Sequence, residues 1–170
     1  MTNPRKPFRL NVGFIVSNEV GYYHDFPFDY ETIKVADDLE LHDFVGTARF
    51  SRTSQGLLLT GQFHAQLELQ CVRCLNDFTH TVRWDITELF AFNEKSITES
   101  ELLVPEDAQI DLAPFMRDYA LTEVPINPAC KPDCKGLCPT CGQDLNQKDC
   151  GHRADENGSP FASLKDLLKN

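Results

Sequence analysis

The sequence lacks a long apolar run: nowhere do about 18 apolar residues follow one another, the length that a membrane-spanning helix requires. It also lacks a charged-then-apolar leader after Met1, the pattern of a secretion signal. We therefore expect no membrane contact, and we expect the protein in the cytoplasm.

The common catalytic motifs are missing as well. There is no G-x-S-x-G, no H-E-x-x-H, no phosphate-binding P-loop and no dinucleotide glycine fingerprint. Four histidines, His24, His42, His64 and His80, are scattered along the chain and are more typical of surface or hydrogen-bonded side chains than of a general base. The sequence thus predicts neither an enzyme nor a small-molecule substrate.

Basic residues are fewer than acidic residues in this chain. Lys and Arg number 16 against 26 Asp and Glu, which gives a formal net charge of −10. Such a chain is not suited to coat nucleic acid nonspecifically, because that binding depends on neutralising phosphates with Lys and Arg. The bases that are present gather near the amino end and around a cysteine-rich stretch: Arg5, Lys6, Arg9, Lys131, Lys135, Lys148 and Arg153.

Cysteine, by contrast, is abundant and clustered. Two cysteines form a C-x-x-C at 71–74, and the other five lie between positions 130 and 150. In a reducing compartment such clusters are more often metal ligands than disulfides, and an odd count of seven cannot be fully paired within one chain. Cys138 and Cys141 are followed by Gly142, a spacing that lets one tight turn present two thiolates to a metal.

The sequence predicts structural zinc but leaves the ligand assignment open. One arrangement draws four ligands locally from the later cysteines, and another joins Cys71 and Cys74 to Cys138 and Cys141. Two filled sites are also possible by count. Each arrangement has enough protein ligands to close a tetrahedron, which is typical of structural rather than catalytic zinc. The candidate ligands are Cys71, Cys74, Cys130, Cys134, Cys138, Cys141 and Cys150, with His152 in reserve.

Two strongly alternating stretches predict a long antiparallel hairpin. Odd positions are mostly apolar from Leu57 to Cys71, and most even positions are apolar from Phe78 to Phe90, so each stretch is typical of a half-buried strand. Residues 71–77 then form the tip, which brings both thiols to one end of the sheet. A thioredoxin-type pair instead needs its first cysteine at a helix N-terminus, so this position disfavours a redox role.

The remaining segments complete an α+β prediction: an antiparallel sheet, one packing helix and a small zinc-binding module at the carboxyl end. We expect a β-rich body over 1–128, with a helix at about 111–122 begun by Asp111, and a cysteine-rich module over 129–170, all within one structural domain. The other expected segments are a mobile basic arm (1–9), a short strand (10–16), an aromatic loop (22–28), a strand (44–50), an acidic loop (93–107) and a short final helix from Ser159.

Four motifs in this order resemble the YceD-like family, described as large ribosomal RNA subunit accumulation proteins. They are Cys-Val-Arg-Cys-Leu at 71–75, Ile-Asp-Leu at 110–112, the block from Cys130 to Asn146, and Ser-Pro-Phe-Ala-Ser-Leu at 159–164. The similarity extends from about Leu57 to the end.

This resemblance implies a bacterial or plastid factor that supports accumulation or processing of large-subunit (23S) ribosomal RNA without catalysis. The implied partner is a ribosomal precursor particle, through its RNA or a basic ribosomal protein, and the acidic chain slightly favours the protein. We expect Arg73, Lys131 and Lys135 to be contact residues. The alternatives are a zinc-stabilised adaptor unrelated to ribosomes and a thiol redox protein.

Overall fold

The structure is a computed structural model that describes residues 6–152. Its residues group into two compact units. The first comprises the described residues up to Leu69 together with Phe78–Pro128, and the second comprises Gln70–Asp77 and the described residues from Ala129 onward.

The first unit is built mainly from antiparallel strands. The elements, in chain order, are β1 (Arg9–Asn11), α1 (Gly13–Val16), β2 (Tyr23–Ala36), β3 (Leu39–Arg52), β4 (Gly56–Gln70), β5 (Asp77–Ala91), a 3-10 helix (Glu94–Ser96), β6 (Gln109–Asp111) and α2 (Ala113–Thr122); only Gln70 and Asp77, at the ends of β4 and β5, belong to the second unit. Strands β2 to β5 form one sheet in sequential order, and β1 pairs with β6 in a second, two-stranded sheet. Residues 6–152 are thus mostly antiparallel sheet with one main helix, which agrees with the α+β prediction.

The predicted hairpin is confirmed in its strands and its tip. Alternate side chains of β4 and β5 are buried, because one face of each strand packs into the core. The aromatic rings of Phe44, Phe63 and Trp84 stack on one another, with centroids 5.8–6.1 Å apart. Residues 71–76 connect the two strands.

The expected arm and the expected aromatic loop were both wrong where the structure describes them. Phe8 is buried against Phe28 and Phe44, so the amino-terminal segment enters the core. Phe26 and Phe28 belong to β2 and face inward. Pro27 concealed this strand in the sequence, but β2 lies at the edge of its sheet, where a residue without an N–H is tolerated.

Helix α2 begins close to its predicted start. Its first residue is Ala113, and the Asp111 carboxylate accepts a hydrogen bond from the Ala113 N–H (2.9 Å) although Leu112 occupies the N-cap position. The expected strand over 10–16 is instead split between β1 and α1. No helix within residues 6–152 has the length and apolarity to cross a bilayer. The expected final helix lies outside the described residues.

Candidate metal centre

The second unit contains two groups of potential metal ligands. The first cluster consists of Cys71, Cys74, Cys130 and Cys134, and its four sulfur atoms all lie within 4.8 Å of one another. Cys71, Cys74 and Cys134 are buried and Cys130 is half-buried. All four are free thiols, so the proximity does not come from disulfides.

The sulfur spacing of the first cluster fits one tetrahedral ion. Sγ of Cys74 lies 3.7 Å from that of Cys130, and Sγ of Cys71 lies 3.9 Å from that of Cys134. Four sulfurs at a Zn–S distance of about 2.3 Å define a tetrahedron with edges of about 3.8 Å. The donor set and its dimensions therefore both match a zinc ion.

The backbone of the hairpin tip orients Cys71 and Cys74. The Cys71 N–H donates to the Asn76 carbonyl and the Leu75 N–H donates to the Cys71 carbonyl, both at 2.9 Å. This tight turn directs both sulfurs to one side. It forces Leu75 to a φ of +60°, a left-handed conformation that non-glycine residues rarely adopt.

Side chains around the first cluster hold the second segment in place. The Arg73 guanidinium donates to the carbonyls of Pro132 and Cys134, each at 3.1 Å. Asn146 Nδ2 donates to the Cys134 sulfur at 3.4 Å, and Asn146 Oδ1 accepts from the Lys135 N–H at 2.9 Å. Hydrogen bonds of this kind orient metal ligands and stabilise the thiolate form.

The second cluster consists of Cys138, Cys141, Cys150 and His152, whose ligand atoms also lie within 4.8 Å of one another. Its C-x-x-C turn repeats that of the first cluster. The Cys138 N–H donates to Gln143 and the Gly142 N–H donates to Cys138, both at 2.8 Å. Here glycine occupies the left-handed position, with a φ of +72°. Cys138 is buried, but Cys141 and His152 are exposed.

Gly136 lies between the two turns, where their backbones approach each other closely. The Leu137 N–H donates to the Arg73 carbonyl, and the Leu145 N–H donates to the Gly136 carbonyl, both at 2.9 Å. A Cβ on Gly136 would lie 2.8 Å from the Arg73 carbonyl oxygen, and its φ is +75°. Only glycine fits both the close approach and the backbone conformation here.

The thiols of the first cluster differ widely in acidity. Backbone N–H groups lower the pKa of Cys71 to about 6, with that of Cys130 the largest contributor and burial opposing it. Burial raises the pKa of Cys130 to about 12, and the neighbouring sulfurs of Cys74 and Cys134 add to the rise. The Asn76 N–H lowers the pKa of Cys74, but burial and the Cys71 sulfur outweigh it, so the net direction is upward.

The thiols of the second cluster also differ in pKa. The N–H groups of Cys141 and Thr140 lower the pKa of Cys138 to about 6. The pKa of Cys150 is raised overall, because the Cys138 sulfur and burial outweigh the lowering by the His152 N–H. In each cluster, therefore, one thiol ionises readily and at least one neighbour resists ionising beside it. A bound cation removes that conflict by attracting every thiolate.

The structure divides the eight candidate ligands into two groups of four. This division matches neither of the two single-site ligand sets that the sequence suggested. Cys71 and Cys74 lie with Cys130 and Cys134 rather than with Cys138 and Cys141. His152, held in reserve by sequence reasoning, belongs to the second group. The grouping corresponds instead to the possibility of two four-ligand sites. Sequence reasoning missed Asn146 and Gly136, whose roles depend on tertiary contacts that no spacing reveals.

The three residues expected to contact a partner differ in their surroundings. Arg73 makes the two hydrogen bonds to the 132–134 backbone described above, so its guanidinium has an internal role. Lys131 and Lys135 are exposed. The Lys131 carbonyl accepts a hydrogen bond from the Cys134 N–H at 3.1 Å, so this contact of Lys131 uses its backbone and not its side chain.

Comparison with known proteins identifies relatives of this chain. A family model described as large ribosomal RNA subunit accumulation protein YceD matches residues 59–168, which include both clusters. An uncharacterized protein of Mycobacterium tuberculosis is 36% identical over 124 residues, covering 71% of this chain and 59% of that protein. The uncharacterized protein YlbN of Bacillus subtilis is 28% identical over 109 residues, covering 61% of this chain and 62% of YlbN.

A plant relative carries the family description in its name. Large ribosomal RNA subunit accumulation protein YCED homolog 1, chloroplastic, of Arabidopsis thaliana is 34% identical over 68 residues, covering 38% of this chain and 21% of the plant protein. The chain thus matches about three fifths of the length of its bacterial relatives. No solved structure matches it. Because the family model matches more than half of its residues, the chain belongs to the YceD family of large ribosomal RNA subunit accumulation proteins.

Proposed function

We propose that this protein supports accumulation of large-subunit ribosomal RNA as a noncatalytic binding factor of the large ribosomal precursor particle. Membership of the YceD family supports this proposal, because the family description names large ribosomal RNA subunit accumulation. The cytoplasm is the compartment in which a bacterial factor of this kind would act.

We further propose that both clusters bind zinc and that the zinc is structural. Each cluster supplies four protein ligands, Cys₄ in the first and Cys₃His in the second. Four protein ligands complete the tetrahedral coordination of zinc and leave no place for the water that catalytic sites retain. The zinc would hold residues 70–77 and 129–152 in a fixed surface for a partner.

The charge of the chain favours a basic protein over naked RNA as the direct contact. A net charge of −10 repels phosphate and attracts the Lys-rich and Arg-rich surfaces of RNA-binding proteins. Lys131 and Lys135 would contribute locally, to whichever component of the particle lies against the second unit.

Deletion of the gene in its host tests the proposal. The ratio of large-subunit to small-subunit ribosomal RNA should fall, and a wild-type copy should restore it. Copies carrying Cys134→Ser or Cys138→Ser should restore it less well if the clusters are needed. An unchanged ratio across growth conditions would contradict the ribosomal role and favour an adaptor with another client. Rapid alkylation of one thiol in the zinc-loaded protein would favour redox chemistry.

A further inference from the structure

A cleft in the first unit has an apolar floor. It has a volume of about 440 Å³ and lies between the end of helix α2 and strands β3 and β4. Leu39 and Leu67 are buried at its base, and Leu69 and Val124 are half-buried. Leu121 lines it too and is 39% exposed. The cleft can therefore take an apolar side chain from outside.

The rim of this cleft is acidic. Asp38, Glu40 and Glu68 all line it, and His42 is the only basic type among its lining residues. Arg117 neutralises Asp38 through two hydrogen bonds from Nε, at 3.0 and 3.2 Å. Glu40 lies 3.8 Å from the His42 ring and opposite Lys34 of β2, whose ammonium group binds Asp37 at 3.2 Å. Glu68 forms no salt bridge within residues 6–152.

Two of these carboxylates lie just beyond the last pair that joins strands β3 and β4. His42 of β3 pairs with Gln66 of β4, and Glu40 and Glu68 are each two residues further along at the same end of the two strands. Both line the cleft, so a cation bound there would be attracted by both carboxylates.

We propose that the cleft binds a lysine- or arginine-bearing segment of a protein partner, with one apolar side chain of that segment seated on Leu39, Leu67 and Leu121. This inference rests on the proposed function and specifies its partner as a basic protein extension. The acidic rim excludes phosphate backbones, and it disfavours a second copy of this acidic chain for the same electrostatic reason.

Binding of a synthetic peptide to the zinc-loaded full chain tests the proposal. The probe is a fluorescein-labelled amphipathic peptide of lysine and leucine, followed by anisotropy at about 0.1 M salt. Glu40→Gln with Glu68→Gln removes the two rim charges. The control is Glu99→Gln with Glu106→Gln, which changes the net charge equally at exposed positions away from the cleft. Leu121→Ser tests the floor, and Leu103→Ser is its control at a similar exposure of 42%.

The cleft variants should weaken peptide binding about tenfold, and the two controls should change it by less than about twofold. The difference between the charge variants should shrink at about 0.5 M salt, where surface charges are screened. Equal weakening by the cleft pair and the control pair would show attraction to overall charge alone and would overturn the proposal. Binding that appears only after residues 153–170 are removed would assign the cleft to the chain's own tail and would also overturn it.

The same variants in the deletion host separate this proposal from the function on which it rests. If deletion lowers large-subunit RNA and the cleft variants restore it as fully as wild type, the ribosomal role stands and the cleft has no part in it. If deletion leaves the RNA ratio unchanged, the ribosomal role fails whatever the peptide measurements show.

Discussion

The two cysteine clusters use the same turn but connect the chain over very different distances. In the first, Cys74 and Cys130 are 56 positions apart in the sequence, and Cys71 and Cys134 are 63 positions apart. In the second, all ligands lie between Cys138 and His152. An ion in the first cluster would therefore constrain two remote segments, whereas an ion in the second would stabilise one local loop.

The ligands of the first cluster are also less exposed to solvent than those of the second. Three of the four ligands of the first cluster are buried, whereas Cys141 and His152 of the second are exposed. A buried all-thiolate site is slow to exchange its metal because chelators cannot reach it, and an exposed site with a histidine exchanges more readily. If both clusters hold zinc, the first should therefore release it to a chelator more slowly than the second.

The two clusters should differ most when a single ligand is removed from one cluster or from the other. Cys134→Ser should abolish zinc binding at the first cluster and unfold residues 70–77 and 129–137, because structural zinc contributes on the order of 10 kcal/mol to small zinc-binding peptides. Cys141→Ser should leave the first cluster loaded and disturb only the 138–152 loop. Native mass spectrometry gives the zinc count, and hydrogen exchange locates the unfolding. Equal damage by the two variants would show that the clusters form one cooperative site.

Acidity should release zinc, most steeply below about pH 6. Zinc-bound thiolates have a lower pKa than metal-free thiols, so a fall in pH favours the metal-free protein. Near neutral pH a metal-free Cys130, with its pKa of about 12, carries a proton that zinc must displace. Below about 6, Cys71 and Cys138 also become protonated, which adds one more displaced proton in each cluster.

Competition with a chromophoric chelator between about pH 5.5 and 7.5 measures this dependence. Zinc affinity should rise with pH at both clusters, and Cys134→Ser isolates the second cluster for a separate titration. A pH-independent affinity would mean that the thiols are already ionised without metal.

A smaller effect should come from the glycine between the turns. Gly136→Ala places a Cβ 2.8 Å from the Arg73 carbonyl in a left-handed conformation, and it should cost about 3 kcal/mol. Gly142→Ala is its control, because Gly142 has a similar φ of +72° but nothing within 4 Å of the added Cβ. That variant should cost about 1 kcal/mol. Thermal unfolding of the zinc-loaded variants measures both, and equal losses would indicate that backbone conformation alone sets the cost.

The sequence revealed the clusters and the hairpin but not how the ligands are shared. Strands β4 and β5 were predictable because their period-two alternation spans many residues and one face is buried. Strand β2 was not, because Pro27 and aromatic residues on both faces disguised its alternation. The division into two sites was not predictable either, since residues 71–74 and 130–134 are far apart in the sequence, with Cys74 and Cys130 56 positions apart, and no local spacing shows that they meet.

The smallest effect is predicted at the fifth residue of the turn, which is Leu75 in the first cluster and Gly142 in the second. Leu75 is 55% exposed and adopts a φ of +60°, so its side chain gains little from packing while its backbone is strained. Leu75→Gly relieves about 1–2 kcal/mol of left-handed strain and costs about 0.5–1 kcal/mol of chain entropy, so it should stabilise the zinc-loaded protein by about 0.5 kcal/mol.

Val72 provides the control for this change. It is 51% exposed in the same turn but has no positive φ, so Val72→Gly carries the entropy cost without the relief and should destabilise the protein. Chemical denaturation of both variants at constant zinc gives the comparison. If Leu75→Gly destabilises the protein as Val72→Gly does, the Leu75 side chain makes a stabilising contact that outweighs its strained backbone, and the two turns are not equivalent in conformation.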